Sequence, residues 1–205
     1  MSWVSVEDVR RQRNKLGKKS FERYEVNRFP LEKAEDRALK VREVRACLKE
    51  PNPFDFSKPF ILGVDGATSG DSFAIVAHQD ADGVDAYHEW VFDEPGESGY
   101  YDLNQIMQLI AWLSQKYRCR VGIDPARLLL MAQQLQDDYG VQVFEVPQSN
   151  KIMCAASEMV ARSVKEKRTR IDGCPKLAEH LENCTQLVRE PFGWRFGSTA
   201  HGLSL

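Results

Sequence analysis

An α/β fold with a mixed sheet is predicted for this chain: an antiparallel three-strand meander, then parallel strands, flanked by helices and preceded by a helical segment. Two observations predict the sheet. Short apolar runs separated by turns rich in Gly and Asp occupy residues 60–93, which is typical of consecutive hairpins. Apolar runs and segments of helical spacing then alternate over residues 101–167, which indicates parallel strands joined by helices.

The composition fits one globular domain with a helical segment in front of it. The chain has 205 residues, of which 42% are hydrophobic and 28% charged. No apolar run reaches about 18 residues and the first residues turn charged early, so we expect neither a membrane helix nor a secretory signal. The five cysteines lack C-x-x-C spacing and are interpreted as reduced thiols of a cytoplasmic protein.

Charge divides the chain into two parts. Residues 1–50 carry 14 Lys and Arg against 9 Asp and Glu, whereas the remainder carries 14 against 21. Three prolines fall within residues 51–59, where the pattern changes from charged and helical to apolar and strand-like. We therefore predict a basic helical linker segment over 1–58 and a mixed-sheet domain over 59–205.

The elements of the second part follow from their patterns in chain order. Strands are predicted at the apolar or alternating runs 60–65, 72–79, 86–93, 119–124 and 141–146, and helices at 101–117, 125–140, 151–167 and 175–187, with a closing hairpin over 187–196. Asp82-Gly83 is a typical two-residue hairpin turn. A meander that leads into parallel strands is the order of the RNase H-like fold.

Asp65 and Asp124 occupy matching positions. Each ends an apolar strand and is followed by a turn or a helix start. Carboxyl ends of neighbouring parallel strands converge on one crevice, where two carboxylates repel unless a divalent cation lies between them. Mg²⁺ prefers such oxygen ligands together with a substrate phosphate. The alternative for either residue alone is a turn former or a helix cap.

Weaker candidates surround this pair. Asp71 closes the first turn and could reach the same crevice, although a turn role is the alternative. Glu89 lies in the middle of a strand and could face either side. A run of basic residues either contacts DNA phosphates or forms a solvated helix end. Its members are Lys165, Lys167, Arg168 and Arg170.

The chain resembles the nuclease domain of the large terminase subunit of tailed bacteriophages. The resemblance rests on residues 60–76 (FILGVDGATSGDSFAIV) and 121–135 (VGIDPARLLLMAQQL), and it extends in the family's order from about residue 21 to the end. It implies an RNase H-like endonuclease that cuts concatemeric viral DNA during genome packaging and hydrolyses phosphodiester bonds with two Mg²⁺ or Mn²⁺ ions. Asp65 and Asp124 would be catalytic metal ligands, with a lesser metal-binding role for Asp71.

The resemblance also implies partners and a location. The implied partners are double-stranded DNA, a terminase ATPase domain or subunit, the small terminase subunit and the portal protein. The implied location is the cytoplasm of a bacterial host. The family continues beyond the position of Leu205 into a helix with a third acidic ligand, so we expect weak or lost activity if the chain ends there. Two alternatives stay open: a non-catalytic prophage remnant that retains the fold and binding, and an actin-like phosphotransferase fragment.

Overall fold

The computed structural model describes residues 37–66, 72–93 and 99–197. Residues 1–36 of the predicted helical linker segment lie outside these ranges. Among the helices described, none is both long and apolar enough to span a membrane.

A six-stranded mixed sheet organises the described residues and confirms the predicted fold class. Its strands lie side by side in the order β5-β4-β1-β2-β3-β6, and a two-stranded sheet pairs β7 with β8. The strands are β1 (Ile61–Gly66), β2 (Phe73–Ala81), β3 (Val84–Phe92), β4 (Arg120–Ile123), β5 (Val143–Glu145), β6 (Thr169–Arg170), β7 (Thr185–Val188) and β8 (Trp194–Gly197). The helices are α1 (Val41–Ala46), α2 (Leu103–Tyr117), α3 (Pro125–Asp137), α4 (Asn150–Lys165) and α5 (Pro175–Asn183).

The meander forms because its second turn suits the twist of the strands. Asp82 and Gly83 have φ angles of 56° and 83°, the left-handed conformation that two-residue hairpins require. The Gly83 N–H donates to a carboxylate oxygen of Asp80 at 2.8 Å and closes the turn. β1, β2 and β3 are therefore antiparallel neighbours, as predicted.

One face of the sheet carries the larger hydrophobic core. Leu62, Val64 and Ile75 alternate onto this face, where they are almost completely buried beneath α2 and α3. Ile110 and Leu135 supply the helical side of the same core. Burial of each such side chain stabilises the fold by about 1.5–3 kcal/mol, so this core fixes which face of β1 turns inward.

A second core lies on the other face of β3. Leu39, Val44 and Cys47 from residues 37–50 pack there with α4, α5 and the partly buried Tyr87. The end of the predicted linker segment thus shares a core with elements of the predicted domain. The boundary at residue 58 stays a prediction.

Two elements differ from the sequence expectation. β6 was not expected, because a strand of two polar residues is too short to show alternation. The helix predicted to reach residue 187 ends at Asn183, because Cys184 is extended and β7 pairs with β8. In the described part of the predicted linker segment, α1 spans Val41–Ala46.

A polar network joins β2, β3, α4 and β6 beside the second core. Asp85 accepts hydrogen bonds from Ser163 Oγ and, at 3.1 Å, from His78 Nε2, while an Arg168 guanidinium nitrogen lies 3.5 Å away. Thr169 Oγ1 donates to Ser163 Oγ at 2.9 Å. Burial alone would raise the pKa of Asp85, but these hydrogen bonds and the charge of Arg168 outweigh it and lower the pKa.

We expect Asp85→Asn to lower the free energy of unfolding by about 1–3 kcal/mol at neutral pH, because it removes the charge at the centre of the network. A lowered pKa in the folded state stabilises the fold above the unfolded value of about 3.9. The difference in the free energy of unfolding between wild type and variant should therefore decrease as the pH falls below about 4, because the folded carboxylate becomes protonated. Urea unfolding across this pH range measures it.

The exposed turn residue Asp172 provides the matched control. Asp172→Asn should leave the free energy of unfolding nearly unchanged at every pH. If the difference in the free energy of unfolding between wild type and Asp85→Asn stayed constant down to about pH 2, the lowered pKa assigned to Asp85 would be contradicted.

Candidate active site

The in-register pairing of β1 with β4 creates the candidate site. Their parallel register ends with Val64 opposite Ile123, both in the larger core. One residue further along each strand stand Asp65 and Asp124. Because neighbouring strands are about 4.8 Å apart, the two carboxylates start from adjacent backbones. The structure thus brings together the two aspartates that the sequence singled out.

The two aspartates differ in exposure. Asp65 is exposed on the face of β1 opposite the larger core, since it alternates with Leu62 and Val64. Asp124 is only 5% exposed. It is also the N-cap of α3, where its Oδ1 accepts a hydrogen bond from the Ala126 N–H at 3.0 Å.

Helix capping therefore explains one of the two carboxylate oxygens of Asp124. It is the alternative role that the sequence analysis gave for this residue. It uses one of about four acceptor positions on the carboxylate, so the second oxygen can still bind a ligand. Within residues 37–66, 72–93 and 99–197, neither Asp65 nor Asp124 forms an ion pair. A buried carboxylate without a cationic partner is costly, and a bound cation would offset that cost. The donor set is all oxygen and fits Mg²⁺ or Mn²⁺.

Two glycines lie beside the carboxylates on the same face. Gly63 and Gly122 are paired one step before the last pair of the register. A Cβ on residue 122 would come within 2.8 Å of the Phe144 ring, so only glycine lets that ring lie over β4. At Gly63 a Cβ would meet nothing closer than a carbonyl oxygen at 3.8 Å, which leaves the face next to Asp65 open.

Other acidic candidates are placed differently. Asp71 lies outside the described residues, so its predicted metal-binding role stays a prediction. Glu89 caps α5: its two carboxylate oxygens accept hydrogen bonds from the N–H groups of Lys176 and Leu177 at 2.9 and 2.6 Å. These bonds give Glu89 a structural role at the start of α5. In the described part of the chain, no group of three or more His, Cys, Asp or Glu is arranged to hold a metal.

The predicted DNA-contacting run lies at the end of α4 and in the turn to β6. The ladder of β2 places this end of the sheet about six residues, or roughly 20 Å, from the aspartates. Arg168 is held 3.5 Å from Asp85, and Arg170 donates to a backbone carbonyl at 3.1 Å. Lys165 and Lys167 are exposed. The run and the aspartates therefore do not form one local cluster.

Sequence pattern alone gives no role to Arg120. It is exposed at the start of β4, and its guanidinium lies 4.9 Å from the centre of the Phe144 ring. Arg120, Gly122 and Asp124 are spaced by two residues, so they share one face of β4. This alternation in the sequence could have indicated that Arg120 lies on the face of Asp124. The contact of Arg120 with Phe144 could not be predicted, because it depends on the register between β4 and β5.

Fold and site together define an RNase H-like domain with an acidic pair at its central strands. A model of the family described as "Terminase large subunit, endonuclease domain" matches residues 76–191, more than half of the chain. The chain belongs to this family. Among curated proteins, no match was found.

Solved structures share the fold. The large terminase of bacteriophage HK97 is 16% identical over 97% of this chain, with a TM-score of 0.67, and the match covers 47% of that protein. The chain thus spans about half the length of that terminase. The large terminase nuclease of thermophilic phage G20c is 12% identical, with a TM-score of 0.59 over 79% of this chain and 89% of that one. A G20c nuclease structure with bound magnesium matches at 13% identity and a TM-score of 0.58, covering 80% of this chain and 90% of that one.

We expect Glu89→Ala to lower the free energy of unfolding by about 1–3 kcal/mol, because α5 loses an anionic cap on two N–H groups. Glu89→Gln keeps one acceptor oxygen and should cost less. Neither change should alter Mn²⁺ affinity, because the carboxylate is engaged at α5. Urea unfolding and calorimetric Mn²⁺ titration measure the two effects, and a loss of Mn²⁺ affinity in a folded Glu89→Gln variant would refute the structural role.

Proposed function

We propose that this chain is a metal-dependent DNA endonuclease domain of a large terminase, which cuts concatemeric viral DNA during genome packaging. The observation that carries the proposal is the side-by-side placement of Asp65 and Asp124, one residue beyond the last paired positions of β1 and β4. Membership of the terminase endonuclease family supports the reaction class.

Asp65 and Asp124 would hold a divalent cation with one oxygen ligand or more from each. When bound, Mg²⁺ or Mn²⁺ would activate water and neutralise charge on the phosphodiester. Asp124 is oriented by its cap on α3, so its free oxygen has a fixed direction. Asp65 is exposed and faces the side from which a DNA backbone would approach. A second ion, as in a two-metal mechanism, would need further ligands, for which Asp71 is the predicted source.

The comparisons support the metal and the substrate. The G20c nuclease that shares this fold was solved with magnesium and, in another structure, with cobalt. Because the chain belongs to the terminase endonuclease family, the terminase ATPase domain or subunit, the small terminase subunit and the portal protein are proposed partners. The proposed setting is the host cytoplasm, where packaging takes place.

A second candidate function is DNA binding without cleavage. It is favoured by the acidic pair standing without a third carboxylate in the part of the chain that the structure describes. Plasmid nicking with Mn²⁺ separates the two. Cleavage by the wild type that disappears in Asp65→Asn supports the nuclease, whereas retained binding without any cleavage supports the second candidate.

We expect Asp65→Asn and Asp124→Asn each to weaken Mn²⁺ binding at least about tenfold, because each removes a charged ligand. Asparagine is as good an N-cap as aspartate, so Asp124→Asn should fold normally. Asp102 is the matched control, since it caps α2 through a 3.1 Å bond from the Gln105 N–H. Asp102→Asn should bind Mn²⁺ like the wild type. Calorimetric titration measures the Mn²⁺ affinity of each variant. An unchanged affinity in Asp65→Asn would contradict the assignment of Asp65 as a metal ligand.

The basic run is proposed to contact DNA phosphates away from the acidic pair. Neutralising Lys165, Lys167, Arg168 and Arg170 together would remove up to four contacts, or about 0.9 unit of salt dependence for each. Arg168 and Arg170 are already engaged within the protein, so we expect a decrease closer to two units, from the exposed lysines. Binding of a DNA duplex at several salt concentrations measures the slope. No decrease would make the run a solvated helix end.

A further inference from the structure

An exposed arginine shares the sheet face of the acidic pair, at the other end of the same strand. Arg120 begins β4 and Asp124 follows its end. Four residues separate them, which is about 13 Å along the strand. In the parallel register Arg120 is opposite Ile61, which is 45% exposed, so this end of the face is open.

The Arg120 side chain is supported from below. Gly122 lacks the Cβ that would meet the Phe144 ring at 2.8 Å, so the ring can lie over β4. The Arg120 guanidinium then lies over that ring, 4.9 Å from its centre. A guanidinium stacked on an aromatic ring loses less side-chain freedom when it binds a ligand, and its edge keeps its N–H donors.

No carboxylate of the described residues lies within 4 Å of the Arg120 guanidinium. This distinguishes Arg120 from Arg45 and Arg168, each of which is paired with an acid. An exposed, supported and unneutralised guanidinium is suited to bidentate binding of a phosphate.

The spacing also suits a nucleic acid backbone. A DNA strand carries a phosphate on every nucleotide, so phosphates of one strand can lie at both ends of a face about 13 Å long. Between the two ends of the face, Gly63 is exposed and has no side chain, whereas the Phe144 ring covers Gly122. A backbone that joins the two ends would therefore pass over Gly63 on β1.

We propose that Arg120, stacked on Phe144, binds a DNA backbone phosphate about 13 Å from the acidic pair of Asp65 and Asp124. The position relative to the acidic pair rests on the proposed function, but the phosphate contact does not. Arg120 would fix the register of the strand along β4 and take no part in the chemistry.

The test measures binding of a fluorescent DNA duplex of about 30 base pairs, without added divalent metal, between about 50 and 200 mM salt. Arg120→Ala should decrease the slope of log K against log salt by about 0.9, since one phosphate contact is lost. Arg120→Lys should keep the slope, because the charge remains. Arg120→Gln replaces Arg120→Ala if the alanine variant folds poorly.

Lys116 provides the matched control. It is exposed and stacked over the Trp112 ring at 4.5 Å, but it belongs to α2 on the opposite face of the sheet. Lys116→Ala should leave the slope unchanged. Phe144→Leu keeps every charge, so it should keep the slope and reduce affinity roughly 2- to 5-fold.

An unchanged slope of log K against log salt in Arg120→Ala would overturn the inference. An equal decrease in Lys116→Ala would also overturn it, because the slope would then depend on the total charge of the protein and not on a contact at Arg120. Neither result depends on the acidic pair, because binding is measured without metal. Conversely, normal Mn²⁺ affinity in Asp65→Asn would overturn the proposed nuclease and leave the phosphate contact of Arg120 intact.

Discussion

The candidate site depends on the parallel register of β1 and β4. A shift of one residue would move Asp65 to the buried face and place Val64 in solvent, because side chains alternate along a strand. The register is held by Val64 and Ile123, which are both almost completely buried in the larger core. Hydrophobic burial beneath α2 and α3 therefore positions the two carboxylates.

Asp124 serves the fold and the candidate site with the same side chain. As the N-cap of α3 it satisfies the Ala126 N–H, and Pro125 follows at the first helical position, where no N–H is needed. The helix start thus fixes the direction of the carboxylate. A capping role and a ligand role do not exclude each other here. The sequence analysis treated them as alternatives, because pattern alone cannot count the acceptor positions that a cap leaves free.

Sequence was sufficient for features that depend on local pattern. The Asp82-Gly83 turn, the three-strand meander and the two strand-end aspartates each have a signal within a few residues. Features that depend on distant partners were missed or left open. Glu89 could face either side of β3 until α5 placed its N–H groups there. Arg120 had no visible role until β5 placed Phe144 beside it.

The difference in burial between the two aspartates bears on how the pair would work. Asp124 is 5% exposed and held by its cap, so it can offer only one fixed direction to a ligand. Asp65 is exposed and carries no ion pair among the described residues, so its carboxylate can adjust to a cation that arrives from solvent. If the pair binds a cation as proposed, the rigid ligand would set its position, and the adjustable one would complete the binding. The open glycine beside Asp65 lies on the same side, so the cation and the DNA backbone would approach over one surface.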